Sequence, residues 1–230
     1  MNIQKNKKMQ EHIIRITGVE QLTHDVKRFR TEIPEGYSFV PGQATNLSIN
    51  TPELKKKARP FTFTSTNRDP FLEFTIKIYP EHKGLTSELD KAVPGDELII
   101  RDAWGAIFYK GKGVFIAGGA GVTPFISIFR ELRSRNELAG NILLFANKTR
   151  ADIILYQEFK EMLGDAFVNI LSEEMSEGLY HGFVDEEFLK VQAGSLDKRF
   201  YVCGPPPMMK SVVQYLAAMG VEKNAMTLEF

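Results

Sequence analysis

Hydrophobic residues change their spacing about halfway along the chain, and this change predicts two structural classes. In the first half, short segments such as residues 44–49 and 71–79 alternate apolar and polar positions, and turns that contain proline or glycine separate them. A period near two is typical of half-buried strands. Many short strands between regularly placed turns predict a small antiparallel β-barrel.

In the second half, continuous apolar segments alternate with segments of helical spacing. Strands are predicted at residues 114–117 and 142–146, and helices at 123–135 and 153–163. Such alternation is typical of a parallel sheet with helices on both faces. We therefore expect two domains, residues 1–110 and 111–230, with a junction near residues 109–113.

Composition narrows the function without defining it. The 230 residues include 29 Lys and Arg and 29 Asp and Glu, so no nucleic-acid or membrane-surface partner is indicated. The single cysteine, Cys203, excludes an internal disulfide and a four-cysteine cluster, and the four histidines show no ligand spacing, so we expect no metal. No stretch approaches the roughly 20 apolar residues of a membrane span, and we expect a cytoplasmic protein.

A glycine-rich stretch at the centre of the chain carries the first chemical signal. It follows a predicted strand and opens a predicted helix, and glycines in such a turn let the backbone approach a ligand closely. The N–H groups of a helix start attract anions such as a pyrophosphate. The pattern is an incomplete dinucleotide fingerprint, so an ordinary turn between strand and helix stays an alternative. The candidate residues are Gly118, Gly119, Ala120, Gly121, Thr123 and Pro124.

Four segments together resemble a known family. Residues 59–62 (Arg-Pro-Phe-Thr), 83–86 (Lys-Gly-Leu-Thr), 118–124 and 203–208 (Cys-Gly-Pro-Pro-Pro-Met) are similar to the ordered motifs of the ferredoxin–NADP reductase superfamily. In detail they resemble its flavodoxin reductase and cytochrome b5 reductase branches, to which residues 147–155 are also similar. The resemblance spans nearly the whole chain and implies an FAD-binding β-barrel domain followed by an NAD(P)-binding α/β domain.

The resemblance implies a flavin site on the barrel. Arg59 would pair with a pyrophosphate, Phe61 would stack on the flavin, and Thr62 would bond its edge. The family usually has tyrosine at the position of Phe61, so one hydrogen bond is expected to be missing. FAD is favoured over FMN by the form of the phosphate motif. A surface arginine on a barrel strand and an ordinary helix cap remain alternatives. Further implied flavin contacts are Pro60, Ile76, Lys77, Ile78, Lys83, Gly84, Leu85 and Thr86.

The resemblance also implies a nicotinamide site on the second domain. Cys203 would lie beside the nicotinamide, close to Thr123, and would position the ring without acting as a nucleophile. A buried cysteine at a strand end is also explained by packing alone. Lys148 and Arg150 follow the second strand of the sheet and favour NADPH over NADH, although both are equally explained as solvated surface charges. Further implied contacts are Asn147, Gly204, Pro205, Pro206 and Met208.

The chain ends with a glutamate and an aromatic residue. By resemblance, Phe230 would stack on the flavin where the nicotinamide must lie, and Glu229 is a candidate proton relay. A frayed C-terminus is the alternative. With Thr62 and Cys203, these two residues complete the expected catalytic set.

The implied function is an FAD-dependent NAD(P)H oxidoreductase that passes electrons to a separate one-electron acceptor, such as flavodoxin, ferredoxin or a haem protein, or to a small oxidant. Lys55, Lys56 and Lys57 would attract an acidic carrier, or form a solvated loop. Two other functions stay open: a flavin-binding electron-transfer or regulatory subunit that acts only within a larger complex, and a catalytically silent nucleotide-binding module.

Overall fold

The first domain is a six-stranded antiparallel sheet. This computed structural model describes residues 10–229, and of Glu229 only the backbone. The spatial strand order is β4-β3-β6-β1-β2-β5. The elements are β1 (Glu11–Thr23), β2 (Val26–Thr31), β3 (Ala44–Ile49), β4 (Arg59–Thr62), β5 (Leu72–Lys77), the short helix α1 (Leu85–Leu89) and β6 (Glu97–Arg101).

The two outer strands of this sheet meet and close it into a barrel. Phe63 forms an antiparallel bridge with Phe74, and the Thr64 N–H donates to the Glu73 carbonyl at 2.8 Å. Phe29, Phe63 and Phe74 are completely buried inside. Alternating apolar residues therefore face one closed core, as the period of two predicts.

The second domain is a parallel sheet with helices on both faces. Its strand order is β10-β9-β8-β7-β11-β12, and each described pair is parallel. Its strands are β7 (Gly113–Gly118), β8 (Ile142–Asn147), β9 (Phe167–Leu171), β10 (Tyr180–His181), β11 (Arg199–Cys203) and β12 (Met226–Glu229). Its helices are α2 (Thr123–Ser134), α3 (Tyr156–Leu163), α4 (Glu186–Ala193) and α5 (Pro206–Ala218).

The predicted fold class is confirmed, and two helix bounds differ from prediction. The sequence also predicts a short helix at residues 85–92, and in the structure this helix ends at Leu89. The helix expected from residue 153 begins at Tyr156, because Leu155 has φ +54° and interrupts the helical backbone. Before it, the Asp152 carboxylate accepts bonds from the N–H and hydroxyl of Thr149 and forms a separate turn.

The two domains share packing at their junction. Val26, from the barrel, is buried in the same apolar cluster as Phe115 and Phe125 of the second domain. The connecting segment is held by Tyr201, whose hydroxyl accepts from the Lys110 N–H and donates to the Gly111 carbonyl, each at 2.8 Å. Within residues 10–229, no helix is both long and apolar enough to cross a membrane.

Candidate functional site

The glycine-rich loop lies where the sequence predicts, at the carboxyl end of β7. After Gly118 the chain makes one 3₁₀ turn, residues Gly119–Val122, and α2 begins at Thr123. Gly119 has φ +51°, which favours glycine. A Cβ on Gly121 would lie 2.4 Å from the Cys203 carbonyl oxygen, so only glycine fits there. The loop is therefore pressed directly onto the end of β11.

The neighbouring loop follows β11 and completes this edge of the sheet. Cys203 is half-buried and pairs with Ala117 of β7, while Pro205 and Pro206 begin α5. The Met208 side chain packs against Gly118, where an added Cβ would lie 2.5 Å from its sulfur. The structure thus brings the two nucleotide motifs of the sequence analysis into contact.

A cavity of about 860 Å³ opens at this edge of the sheet. Carboxyl ends of parallel strands are where open α/β sheets bind ligands. Both domains contribute to it, since Lys77, Asp25 and Val26 line it from the barrel. The sequence-predicted site residues that line it are Lys77, Gly118, Gly119, Ala120, Asn147, Lys148, Pro205 and Met208.

Among the described residues that line this cavity, Asn147 has a buried side-chain amide without a hydrogen-bond partner. Its side chain is buried at the end of β8, and neither its Oδ1 nor its Nδ2 has a hydrogen-bond partner among the described residues. A buried amide without partners costs free energy, which a bound ligand would recover. An amide accepts and donates, so the residue suits a nucleotide that does both.

Several cavity residues escaped the sequence analysis. Ser172 follows β9 at the same sheet edge, and that position could have signalled it. Phe183 is 76% exposed beside the cavity, and Asp185 caps α4 by accepting from the Phe188 N–H at 2.8 Å. Their proximity depends on a long connection after β9, which has no local pattern to reveal it.

Two acidic residues lie near the cations that follow β8. The Lys148 ammonium lies 2.9 Å from the Glu173 carboxylate, which raises the pKa of Lys148. The backbone N–H of Arg150 donates to Glu174 Oε2 at 2.9 Å, whereas the Arg150 guanidinium lies over the Tyr156 ring. The sequence analysis weighed the two cations without these two acids.

A groove on the barrel lies where the sequence predicts flavin contacts. Beyond the Phe63–Phe74 bridge, β4 and β5 separate, and β5 is paired with β2 on its other side. Among the described residues no strand covers the free edge of β5 from Thr75 to Lys77. Ile76 and Ile78 point into the barrel core, and the Ile78 N–H donates to the Asp25 carbonyl at 2.7 Å, so the backbone groups that face the free edge are those of Thr75 and Lys77. This open edge fits a planar ligand bound through backbone groups.

The side chains of the flavin motif border this groove from β4. Phe61 and Thr62 are half-buried, and Pro60 and Arg59 are exposed. The Arg59 guanidinium donates to the Ala58 carbonyl at 3.0 Å. Of the other predicted phosphate residues, Lys83 and Gly84 are exposed, Leu85 is buried, and Thr86 is half-buried in the first turn of α1.

The domain junction has an outer polar contact at the mouth of the cavity. Lys77 pairs with Asp25 at 2.6 Å, and His24 lies 3.5 Å from Asp25 and 3.8 Å from Asp152 of the second domain. Burial alone would raise the pKa of Asp25, but Lys77 outweighs it and the pKa is lowered. The His24 side chain is 63% exposed, so solvent reaches this contact.

The junction also has an inner polar contact, which is buried. Arg130 of α2 donates to the Glu73 carboxylate at 2.6 Å and to the Thr64 carbonyl at 2.7 Å, both on the barrel. Its other guanidinium edge holds Glu158 of α3 with two bonds, at 2.6 and 2.8 Å. Burial alone would raise the pKa of Glu73, but chiefly Arg130 outweighs it, so the pKa is lowered.

The expected C-terminal residues stay largely outside the description. The backbone of Glu229 pairs with Cys203, which places the end of β12 beside the nucleotide loops. Phe230 lies outside the described residues, so its predicted stacking role stays a prediction.

Comparison with known protein families gives both halves a match. Residues 13–109 match the oxidoreductase FAD-binding domain, and residues 115–214 match the oxidoreductase NAD-binding domain, in that order. The chain belongs to the ferredoxin–NADP reductase superfamily. The predicted family is confirmed, and with it a flavin, FAD, and a nicotinamide as the cofactors of these domains.

Relatives within this reductase superfamily include redox components of different systems. The reductase component of propane 2-monooxygenase from Rhodococcus jostii (strain RHA1) is 30% identical, over 91% of this chain and 60% of that protein. NADH-cytochrome b5 reductase 2 from Botryotinia fuckeliana (strain B05.10) is 30% identical, over 86% and 63%. The chain thus spans about three fifths of the length of these relatives.

Solved reductase-superfamily structures share the fold. A ferredoxin NADP⁺ reductase from Neisseria gonorrhoeae with bound FAD and NADP superposes with a TM-score of 0.83, at 20% identity, covering 95% of this chain and 98% of that one. The flavohem-like FAD/NAD-binding domain of nitric oxide dioxygenase from Vibrio cholerae O1 biovar El Tor gives 0.84, at 19% identity, covering 94% and 97%. Both barrel and parallel sheet are therefore in the arrangement of the superfamily.

Proposed function

We propose that the protein is a flavoprotein reductase that takes electrons from a reduced nicotinamide and passes them to a separate one-electron acceptor. The observation that carries this proposal is the junction at Lys77, where the free edge of β5 meets the cavity at the ends of β7 and β8. A flavin on one side of Lys77 and a nicotinamide on the other would be neighbours. When bound, the flavin accepts a hydride and releases electrons one at a time.

The residues of the barrel would hold and orient the flavin. The exposed Arg59 guanidinium suits a pyrophosphate, and Lys83 and Thr86 lie at the start of α1, where the motif predicts the same group. Phe61 would stack on the flavin, and Thr62 would bond its edge. The backbone of Lys77, between Ile76 and Ile78, would bond the rest through the free edge of β5.

The second domain would hold the nicotinamide nucleotide. Backbone N–H groups of residues 119–121 and the start of α2 would bind its pyrophosphate. Asn147 would bond the nucleotide through its unpartnered amide, and Cys203 and Thr123 would position the nicotinamide ring. Glu229 and Phe230 keep their predicted roles as relay and stacking residue. We place the domain boundary between residues 110 and 111.

We propose that NADH is the preferred donor. From sequence, Lys148 and Arg150 favour NADPH, but Glu173 pairs with Lys148 and Glu174 accepts from the backbone N–H of Arg150, and these two carboxylates would repel a 2′-phosphate. Glu173→Gln with Glu174→Gln should therefore raise the ratio of kcat/KM for NADPH over NADH, while kcat with NADH stays the same. An unchanged ratio would contradict this assignment and would favour NADPH, as the two cations predict.

We propose a small acidic redox carrier as the acceptor. Lys55, Lys56 and Lys57 are exposed on the loop before the flavin motif, where positive charge would steer such a carrier. The Lys55 carbonyl, which accepts from Ser48, is untouched by side-chain replacement. Triple Lys→Glu replacement should slow reduction of an acidic carrier at low salt and leave reduction of ferricyanide unchanged; equal carrier rates would exclude this surface.

Steady-state turnover with an artificial acceptor tests the proposed function. Wild-type protein reconstituted with FAD should reduce ferricyanide with NADH, and Arg59→Ala should need more FAD to do so. A subunit that acts only within a larger complex would bind FAD without turning over. A silent module would bind a nucleotide and no FAD.

A further inference from the structure

Helix α2 carries a polar stripe among the buried apolar residues of its first two turns, and its last turn is mostly polar. Thr123, Ser127 and Arg130 are spaced by four and three residues, which places them on one face. The Thr123 end of this stripe lies at the nucleotide loop, and the Arg130 end lies two turns further along. One rigid helix therefore connects the proposed nicotinamide site with the domain junction.

Two residues of the stripe, Ser127 and Arg130, form hydrogen bonds with the barrel. The fully buried Ser127 hydroxyl accepts from the Gly42 N–H at 2.9 Å. Arg130 bonds the Thr64 carbonyl at 2.7 Å and the Glu73 carboxylate at 2.6 Å. These are backbone and buried partners, which have little freedom to move.

The barrel partners of Arg130 belong to the segments that border the flavin groove. Thr64 lies two residues after Thr62, and Glu73 lies three residues before Ile76, on the strand with the free edge. The Thr64 N–H also donates to the Glu73 carbonyl, so Arg130 binds at the point where β4 and β5 join. Its position sets how both segments face α2.

The fork of Arg130 is itself held in place. Glu158 of α3 accepts two bonds from it, at 2.6 and 2.8 Å. Glu73 is only 1% exposed and has Arg30 at 3.2 Å and Arg28 at 3.8 Å as its other cations. Without Arg130, Glu73 would keep partial compensation on the barrel but would lose its bond to the second domain.

We propose that Arg130 is a positioning residue that fixes the angle between the two domains, and thereby aligns the nicotinamide with the flavin. The inference rests on the proposed function, because alignment matters only if a hydride passes between the two cofactors. Hydride transfer needs near-attack geometry, and a displacement of about 1 Å costs roughly 10²-fold in rate.

The test compares two variants of the FAD-loaded protein. Arg130→Met leaves Glu73 short of a partner and should lower both thermal stability and the flavin reduction rate. Glu73→Gln with Arg130→Met removes the buried charge as well, so thermal stability should return towards wild type. The stable double variant should still reduce its flavin roughly 10²-fold more slowly at saturating NADH, because no fork holds the domain angle.

Small-angle X-ray scattering gives a readout that does not depend on turnover. Both variants should have a larger radius of gyration than wild type, and Arg130→Lys should lie between them and wild type. Arg135→Met is the matched control, since Arg135 caps the C-terminal end of the same helix, is 54% exposed and pairs with Glu131. It should change neither the scattering nor the reduction rate.

The outcomes separate this inference from the proposed function. Wild-type scattering from the double variant overturns the role of Arg130, whatever its rate, and so does expansion with an unchanged rate. Failure of NADH to reduce the wild-type flavin overturns the proposed function instead, while the scattering still reports whether Arg130 sets the domain angle.

Discussion

The two polar contacts across the domain junction each place one basic side chain beside two carboxylates, and they differ in burial. The inner contact joins Glu73, Arg130 and Glu158, and the Glu73 side chain is 1% exposed. The outer contact joins His24, Asp25 and Asp152, and its histidine is 63% exposed. The inner one fastens α2 to the barrel, whereas the outer one borders the cavity.

Burial decides what each contact can do. A buried carboxylate that loses one partner pays a desolvation cost, so breaking the inner contact destabilises the junction even though Arg28 and Arg30 still compensate part of the charge of Glu73. An exposed pair is screened by water and salt and contributes little. The inner contact therefore suits a fixed domain angle, whereas the outer contact adds little to it.

Breaking the inner contact should have the largest effect. Arg130→Met should lower the free energy of unfolding by about 3–5 kcal/mol, because it leaves a buried carboxylate short of its partner. Urea unfolding measures this. Arg135→Met removes the pair between Glu131 and the exposed Arg135 at the C-terminal end of the same helix, and it should change the free energy of unfolding by less than about 1 kcal/mol. Similar losses in the two variants would contradict the distinction.

Acid pH should have the second-largest effect, because it weakens the inner contact. The pKa of Glu73 is lowered from its ordinary value of 4.5, so its contribution is present above that pH and is lost as the pH falls below it. The free energy of unfolding should therefore fall more steeply below pH 4.5 in wild type than in Glu73→Gln with Arg130→Met. Urea titrations at several acid pH values measure the two slopes, and parallel slopes would argue against a charged Glu73.

Replacing Asn147 tests the cavity separately from the two contacts at the domain junction. Asn147→Leu removes two buried unpartnered atoms, so the free protein should gain about 1 kcal/mol, while NADH should bind about tenfold more weakly. Thermal unfolding and NADH titration measure these changes. Asn169→Leu is the control, since the buried Oδ1 of Asn169 also lacks a partner among the described residues but lies outside the cavity lining. Weaker NADH binding in both variants would point to a general disturbance.

Breaking the outer contact should have the smallest effect. His24→Ala should lower the free energy of unfolding by less than about 1 kcal/mol, because the imidazole is mostly solvated. The change is measured by urea unfolding beside Arg130→Met. A loss as large as that of Arg130→Met would mean that the outer contact also holds the domains.

The fold followed from sequence because its periodicities are local. The alternation in β3 and the apolar run of β7 each encode one element, and the glycine loop encodes its own turn. The bond between Arg130 and Glu73 spans 57 residues and depends on how the domains dock. In the sequence, Arg130 directly follows the apolar residues 124–129 apart from Ser127, but no local pattern identifies Glu73 as its partner.

The cavity was only half predictable for the same reason. Asn147 and Lys148 lie at the carboxyl end of β8 and were expected there, Asn147 from the family resemblance and Lys148 from its position after the strand, whereas Phe183 reaches the site through a long irregular connection. We propose a different donor from the one that the sequence interpretation favoured, because Glu173 pairs with Lys148 and Glu174 accepts from the backbone N–H of Arg150.

The most direct test of the proposed reductase is the visible spectrum of the FAD-loaded protein during anaerobic addition of NADH. The account predicts that the flavin bands bleach as NADH is added in stoichiometric amounts, and that NADPH bleaches them more slowly. Flavin bands that persist with both donors would contradict it, because the two domains would then hold their cofactors without bringing them together.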